Sequence, residues 1–268
     1  MAETVLLVGC GNMGRAMARG WLAARAGLIV HVVEPAEALR AEAAALGANA
    51  VAAAGDLPAG LAPDLVVLAV KPQVMPAVLP DYAGYDGATF VSIAAGTTVA
   101  TLRAGLGDAA PIVRCMPNTP AAIGAGMMVC YPTPGVAPAV CELISALLAA
   151  SGEVAWIETE DLMDAVTAVS GSGPAYVFHL IEALGVAGAA AGLPADLSAR
   201  LALQTVLGAG RLAAESGTPP GTLRQQVTSP GGTTAAALGV LMRDGALEAL
   251  MTEAVAAARD RGEELGRA

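Results

Sequence analysis

The sequence predicts an α/β N-terminal domain built on a parallel sheet, followed by an all-α C-terminal domain. Three observations carry this. Short β-like apolar runs alternate with helical stretches through the first part of the chain, a glycine-rich turn joins the first run to the first helix, and no convincing strand follows Thr159.

Thr4 to Val8 is a short apolar run ending in glycine, the pattern of a strand buried on both faces. A helix follows from Met13 to Arg25, a second strand from Leu28 to Val33, an alanine-rich helix from Ala36 to Leu46 and a strand from Asp64 to Val70. Thr89 to Ile93 and Pro111 to Cys115 continue the series. Gly126 to Tyr131 and Glu153 to Ile157 add two strands around a helix from Ala137 to Ala150. Then the pattern changes: Asp161 to Val169, Pro174 to Ala191, Pro194 to Ser216, Thr233 to Met242 and Gly245 to Leu265 read as helices. Pro174 and Pro194 suit first helical positions, where a missing N–H costs nothing, and Gly192 and Gly217 stand where helices end. The expected domains are 1–160 and 161–268.

Composition narrows the function classes. Mean hydropathy of +0.61 invites a membrane reading, but alanine alone supplies 62 of the 268 residues. The longest charge-free stretch, Cys115 to Cys141, holds Pro117, Pro120, Pro132, Pro134 and Pro138, which would strand backbone groups in lipid. A net charge of −10 has the wrong sign for a phosphate-neutralising nucleic-acid binder. Met1 to Thr4 carries no basic segment, so no signal peptide is expected. Four cysteines without C-x-x-C spacing and two histidines, His31 and His179, favour reduced thiols, a cytoplasmic setting and no metal site. Of 14 basic residues only Lys71 is a lysine.

Gly9-Cys10-Gly11-Asn12-Met13-Gly14 matches G-x-G-x-x-G between a strand and a helix, the turn of a Rossmann-type dinucleotide domain. Gly9 allows the tight turn, Gly11 lets a pyrophosphate approach the backbone, and Gly14 permits close helix–strand packing. The helix start supplies N–H donors, so an acidic protein can still hold an anionic cofactor. Glu34, twenty residues after Gly14, fits the partner of a ribose hydroxyl and should repel a 2′-phosphate; the alternative is a solvated strand end. Ser229-Pro230-Gly231-Gly232-Thr233-Thr234 precedes an apolar helical run and forms a carboxylate cradle of backbone and hydroxyl donors.

With Ala69-Val70-Lys71-Pro72, Ser92 to Gly96, Arg114 to Pro120, Ser170 to Tyr176 and above all Leu223 to Thr234, the sequence resembles the pyrroline-5-carboxylate reductase family essentially end to end. The resemblance implies reduction of 1-pyrroline-5-carboxylate to L-proline, the last step of proline biosynthesis, with NADPH or NADH as cofactor. It implies a C-terminal dimerisation domain, an interlocked homodimer and, in some members, a ring of dimers. It places Thr234 beside the substrate ring as the donor to the imine nitrogen, with Ser229, Gly231, Gly232, Thr233, Gln226 and Glu160 around the substrate. Ala69, Val70, Lys71 and Pro72, together with Ala94, Ala95 and Asn118, fall near the cofactor. Asn118 and the Ser92 to Gly96 segment read equally well as plain loop chemistry, and an N-cap role suits Thr233 better than Thr234.

This chain departs from the family at three places. Ala54 aligns with a usual asparagine near the adenosine, Gln226 with another asparagine, and Met242 with an acidic residue. With Glu34, the first departure leads us to expect appreciable use of NADH. The β-hydroxyacid dehydrogenases, which also join a Rossmann domain to helices, need a lysine in the second domain. No lysine follows Lys71. A nucleotide-binding sensor would not need both the phosphate turn and the threonine cradle, and a six-membered cyclic imine is the nearest alternative substrate.

Overall fold

The computed structural model describes residues 3–267; Met1 and Ala2, on which the signal-peptide expectation partly rests, and Ala268 lie outside the described residues. The elements run β1 (Thr4–Val8), α1 (Asn12–Ala24), β2 (Ile29–Val33), α2 (Glu37–Ala45), β3 (Asn49–Val51), β4 (Leu65–Leu68), α3 (Met75–Val78), β5 (Thr89–Ser92), α4 (Val99–Leu106), β6 (Ile112–Met116), β7 (Gly126–Pro132), α5 (Pro138–Leu148) and β8 (Gly152–Trp156). After them come α6 (Met163–Val166), α7 (Gly173–Ala190), α8 (Ala195–Ser216), α9 (Pro220–Gln226), α10 (Thr233–Leu241) and α11 (Ala246–Arg267).

The eight strands form one sheet in the order β3-β2-β1-β4-β5-β6-β7-β8. All neighbours are parallel except β6 and β7, whose antiparallel register sets Cys115 opposite Cys130. Alternate residues of β1 point into two separate cores. Val5 and Leu7 pack with Met17 and Trp21 of α1 and Ile144 and Leu147 of α5, while Leu6 and Val8 pack with Met75, Leu79, Leu102 and Leu106. A sheet covered on both faces explains the unbroken apolar runs. The order turns back on itself between β1 and β4, and at such a switch point the crevice beyond the strand C-termini is open to a ligand.

Several elements differ from the sequence reading. The edge strand β3 and helices α3, α4 and α9 were not anticipated, and the sheet is mixed because the 117–125 connection reverses direction after β6. The helix expected over Asp161 to Val169 is three short turns: a 3₁₀ turn Glu160–Leu162, α6, and a π-helical turn Thr167–Gly171. Its cause lies in the sequence. Pro174 has no N–H to give the carbonyl of Ser170, and the side-chain amide of Asn118 supplies that bond at 3.1 Å. Pro194 caps α8 instead of opening it. Gly217 closes α8 in the left-handed region, φ 61°.

By compactness the described chain forms two units, one running to Ser172 and including the residues from Ala258 onward, the other Gly173–Ala257. In the second, α7 buries no residue and α8 buries only Ser198 and Ala202, whose partners include the carbonyl of Gly185 accepting from Ser198 Oγ at 2.6 Å. Phe178, Leu180, Val186, Leu203 and Leu250 are each more than half exposed. Among the described residues, no helix is long and apolar enough to cross a membrane.

Candidate active site

The first site is a cleft of about 540 Å³ beyond β1, β2 and β4, lined by Gly9, Gly11, Glu34, Ala69, Val70 and Lys71 among the residues expected from sequence. Gly9 takes φ 88°, and a Cβ there would lie 2.9 Å from Val70 Cγ1 and 3.0 Å from the Ala69 carbonyl oxygen. At Gly14 a Cβ would lie 2.6 Å from the Gly9 carbonyl oxygen, so α1 can pass this close to the turn only without a side chain. Gly11 differs: a Cβ there would meet nothing within 4 Å. Its open side faces the cleft, as a backbone that must admit a pyrophosphate requires. Helix α1 starts at Asn12 with no side-chain cap, leaving its first N–H groups available for an anion. These observations fit a dinucleotide.

Glu34 is buried at the end of β2. Its Oε2 accepts from the Cys10 N–H at 2.7 Å and its Oε1 from the Ala36 N–H at 2.9 Å, so it clamps the glycine turn to the second strand. Burial pushes the Cys10 thiol up, and the neighbouring Glu34 charge adds to it. Arg40 Nη1 donates to the carbonyls of Glu34 and Pro35. With Val8, Val33 and Pro35 beside the strand ends, Leu39, Ala52, Ala53, Ala54, Val74, Val78, Asp81 and Tyr82 also line the cleft. Ala54 is the departure named above; the other seven were not anticipated, because they reach the cleft from helices α2 and α3 and from turns with no fixed spacing to the glycines. Asn12 and Met13 instead border an adjoining depression with Arg15 and Arg19, and Arg15 pairs with Glu42.

At neighbouring strand ends, Lys71 is exposed and Pro72 opens a 3₁₀ turn. Pro72 and Ala95 share a second depression with Gly96 and Leu265, while Ala94 is half-buried and donates its N–H to Ser92 Oγ at 3.4 Å. Asn118 contacts two backbone groups: Nδ2 donates to the Ser170 carbonyl and Oδ1 accepts from the Met127 N–H at 2.9 Å. Glu160 likewise has structural partners, its Oε1 accepting from Arg114 Nη1 at 2.6 Å and from the Val99 N–H of α4 at 2.8 Å.

The second site is built within the helical unit. Gly231 takes φ 68°, the Gly232 N–H donates to the Ser229 carbonyl at 3.1 Å, and Gly232 then caps α10 with no side-chain hydrogen bond. Thr233 is exposed and Thr234 half-buried, and neither hydroxyl is hydrogen-bonded within the described residues. Free N–H groups and two free hydroxyls at a helix start can receive a carboxylate and one further acceptor. Gln226 ends α9 and is exposed.

Comparison with known proteins bears on both sites. Residues 160–265 match the family model described as pyrroline-5-carboxylate reductase dimerisation, and residues 4–96 one described as NADP oxidoreductase, coenzyme F420-dependent. The pyrroline-5-carboxylate reductase of Pseudomonas aeruginosa is 48% identical over 204 residues, 75% of this chain and 74% of that one. The chain belongs to the pyrroline-5-carboxylate reductase family. The Escherichia coli K12 reductase is 36% identical and spans 100% of both chains. Among solved structures, the Coxiella burnetii pyrroline-5-carboxylate reductase has a TM-score of 0.92 at 34% identity, covering 99% of each chain. The Plasmodium falciparum enzyme with NADP bound has a TM-score of 0.80 at 30% identity, covering 98% of this chain and 99% of that one. Prephenate dehydrogenase of A. aeolicus, at 16% identity and a TM-score of 0.55, shares the fold alone. Within the pyrroline-5-carboxylate reductase family this chain carries Met242 at the end of the signature helix, where its Sδ accepts from Arg224 Nη1 at 3.1 Å.

Proposed function

We propose that the chain reduces the imine of 1-pyrroline-5-carboxylate to L-proline, closing proline biosynthesis, with a reduced nicotinamide dinucleotide as the electron donor. The observation that carries this reading is the uncapped start of α10, whose Gly231-Gly232-Thr233-Thr234 segment offers donors for one carboxylate and one nitrogen, the two polar groups of the substrate. When bound, the nicotinamide supplies hydride to the imine carbon. The chain binds and orients. The α1 N-terminus and the Gly9 to Gly14 turn hold the pyrophosphate, while Ala69 to Pro72, Ala94 and Ala95 border the nicotinamide end. The backbone N–H groups of Gly231 and Thr233, aided by Ser229, hold the substrate carboxylate, and Gln226 contributes an amide. Thr234 Oγ donates a hydrogen bond to the imine nitrogen, polarising C=N and aligning it. A hydroxyl is too weak an acid to give up its proton here, so the proton that ends on nitrogen comes from water; where the imine arrives already protonated, its N–H donates to Thr234 Oγ instead. Asn118 and Glu160 act at one remove, Asn118 holding the backbone at Met127 and Ser170 and Glu160 holding it at Val99.

A homodimer is the minimum assembly. The large apolar residues exposed on α7, α8 and α11 need a partner surface, and a second copy of the same helices supplies one. A ring of such dimers is the higher assembly. Four free thiols accord with a cytoplasmic setting.

The test is cofactor oxidation with pyrroline-5-carboxylate by the full chain and by Thr234→Ala. A loss of about 10- to 100-fold in kcat/KM is expected for the variant, the size of one hydrogen bond to a charged group. No turnover with either cofactor overturns the function. Unchanged kcat/KM in Thr234→Ala removes the donor role and leaves the activity standing.

A further inference from the structure

We infer that Glu34 makes the dinucleotide cleft selective for NADH over NADPH; this rests on the reductase reading and names its cofactor-specificity residue. Glu34 is held at every polar atom. Its N–H donates to the Val51 carbonyl at 3.0 Å, its own carbonyl accepts from Arg40 Nη1 at 2.9 Å, and each carboxylate oxygen accepts one backbone N–H. A carboxylate offers about four lone-pair positions and no proton. Two are taken by Cys10 and Ala36, and the rest suit donors such as the hydroxyls of an adenosine ribose.

A 2′-phosphate is also an acceptor without a proton, and it brings a like charge. The carboxylate cannot turn aside to admit it, because that would leave the Cys10 N–H without its acceptor in a buried turn. Arg40 stands beside Glu34 but outside the cleft lining, and no lining residue next to Glu34 carries a cation to offset the repulsion. Pro35, Leu39, Ala52, Ala53 and Ala54 line this end of the cleft and carry no side-chain donor. Arg40 Nη1 is committed to two carbonyls, of Glu34 and Pro35. Among the described lining residues the one cation is Lys71, at the end of β4, and Asp81 adds a second carboxylate to the wall.

The test is calorimetric titration of the full chain with NAD⁺ and NADP⁺, with 5′-AMP and 2′,5′-ADP as fragment probes, beside the NADH and NADPH values of kcat/KM. NAD⁺ is expected to bind at least about tenfold tighter than NADP⁺, and 5′-AMP tighter than 2′,5′-ADP. Glu34→Gln and Glu34→Ser are expected to cut the NAD⁺ preference by about tenfold. Thermal melts identify a variant that has lost its fold, and the wild-type ratio decides the inference without any variant. NADP⁺ binding as tightly as NAD⁺ to the wild type, or a ratio unchanged in both folded variants, overturns it. Failure to reduce the imine with either cofactor would overturn the reductase reading instead, and the binding ratio would still decide the role of Glu34.

Discussion

Alanine substitutions at Gly11 and Gly14 separate fold from ligand binding within one turn. At Gly14 the added Cβ would sit 2.6 Å from the Gly9 carbonyl oxygen and 3.3 Å from Ala69 Cβ. The first neighbour is backbone, and it cannot retreat freely because the Gly9 N–H is bonded to the Val33 carbonyl at 2.8 Å. Overpacking of this kind costs about 1–3 kcal/mol. For a chain of this size that is a fall of about 2–10 °C in Tm. At Gly11 the Cβ would meet nothing within 4 Å, and the residue's φ of −65° and ψ of −167° suit any amino acid. The same methyl therefore spares the fold and falls on the dinucleotide, where about 1–3 kcal/mol is a loss of about 5- to 150-fold in affinity. The assay is a thermal melt of each variant without ligand, followed by NADH titration. Gly14→Ala melting with the wild type, or Gly11→Ala binding NADH as tightly as the wild type, would refute the reasoning.

Two further perturbations test the framework around the cleft. Arg114→Ala leaves the Glu160 carboxylate with only the Val99 N–H; because Glu160 keeps 28% side-chain exposure, a loss of about 1–3 kcal/mol is expected, below that of a fully buried pair, and denaturant unfolding reads it. Burial lowers the His31 pKa, and its Nδ1 has no hydrogen-bond partner among the described residues. The unfolded chain then binds the extra proton first, so the His31 contribution is fully present above about pH 6.5 and is lost as pH falls through that value toward the lowered folded one. A His31→Leu variant should show a shallower fall in Tm between neutral and mildly acidic pH; an equal fall would remove His31 as a cause.

Legibility from sequence followed the range of the interactions. Strand β1 was read to the residue, since an apolar run before G-x-G-x-x-G carries its own signal, and every other strand of five or more residues was found within a residue or two. Strand β3 was missed because three residues, Asn49–Val51, become a strand only by pairing with His31 to Val33. Helix α4 was missed although Thr98 caps it through a hydrogen bond from the Thr101 N–H, a local signal that could have found it. The direction of β7 was not legible, because parallel and antiparallel strands of this length share one apolar pattern. At the site, Gly9, Gly11 and Gly14 were legible because backbone geometry demands them, whereas the seven unanticipated lining residues carry no such demand.

By itself the sequence determined where the chain turns tightly, which faces are apolar and which residue types stand at the two anion-binding helix starts, since each of these depends on neighbours a few residues away. Only the tertiary structure decided what those residues touch. Glu34 holds the Cys10 N–H across 24 residues, Glu160 holds Arg114 across 46, and Asn118 fills a carbonyl vacated by Pro174 across 52. The physical reason is that a buried polar atom must find a partner once water is gone, and which partner lies in reach depends on how the strands and turns are ordered in space.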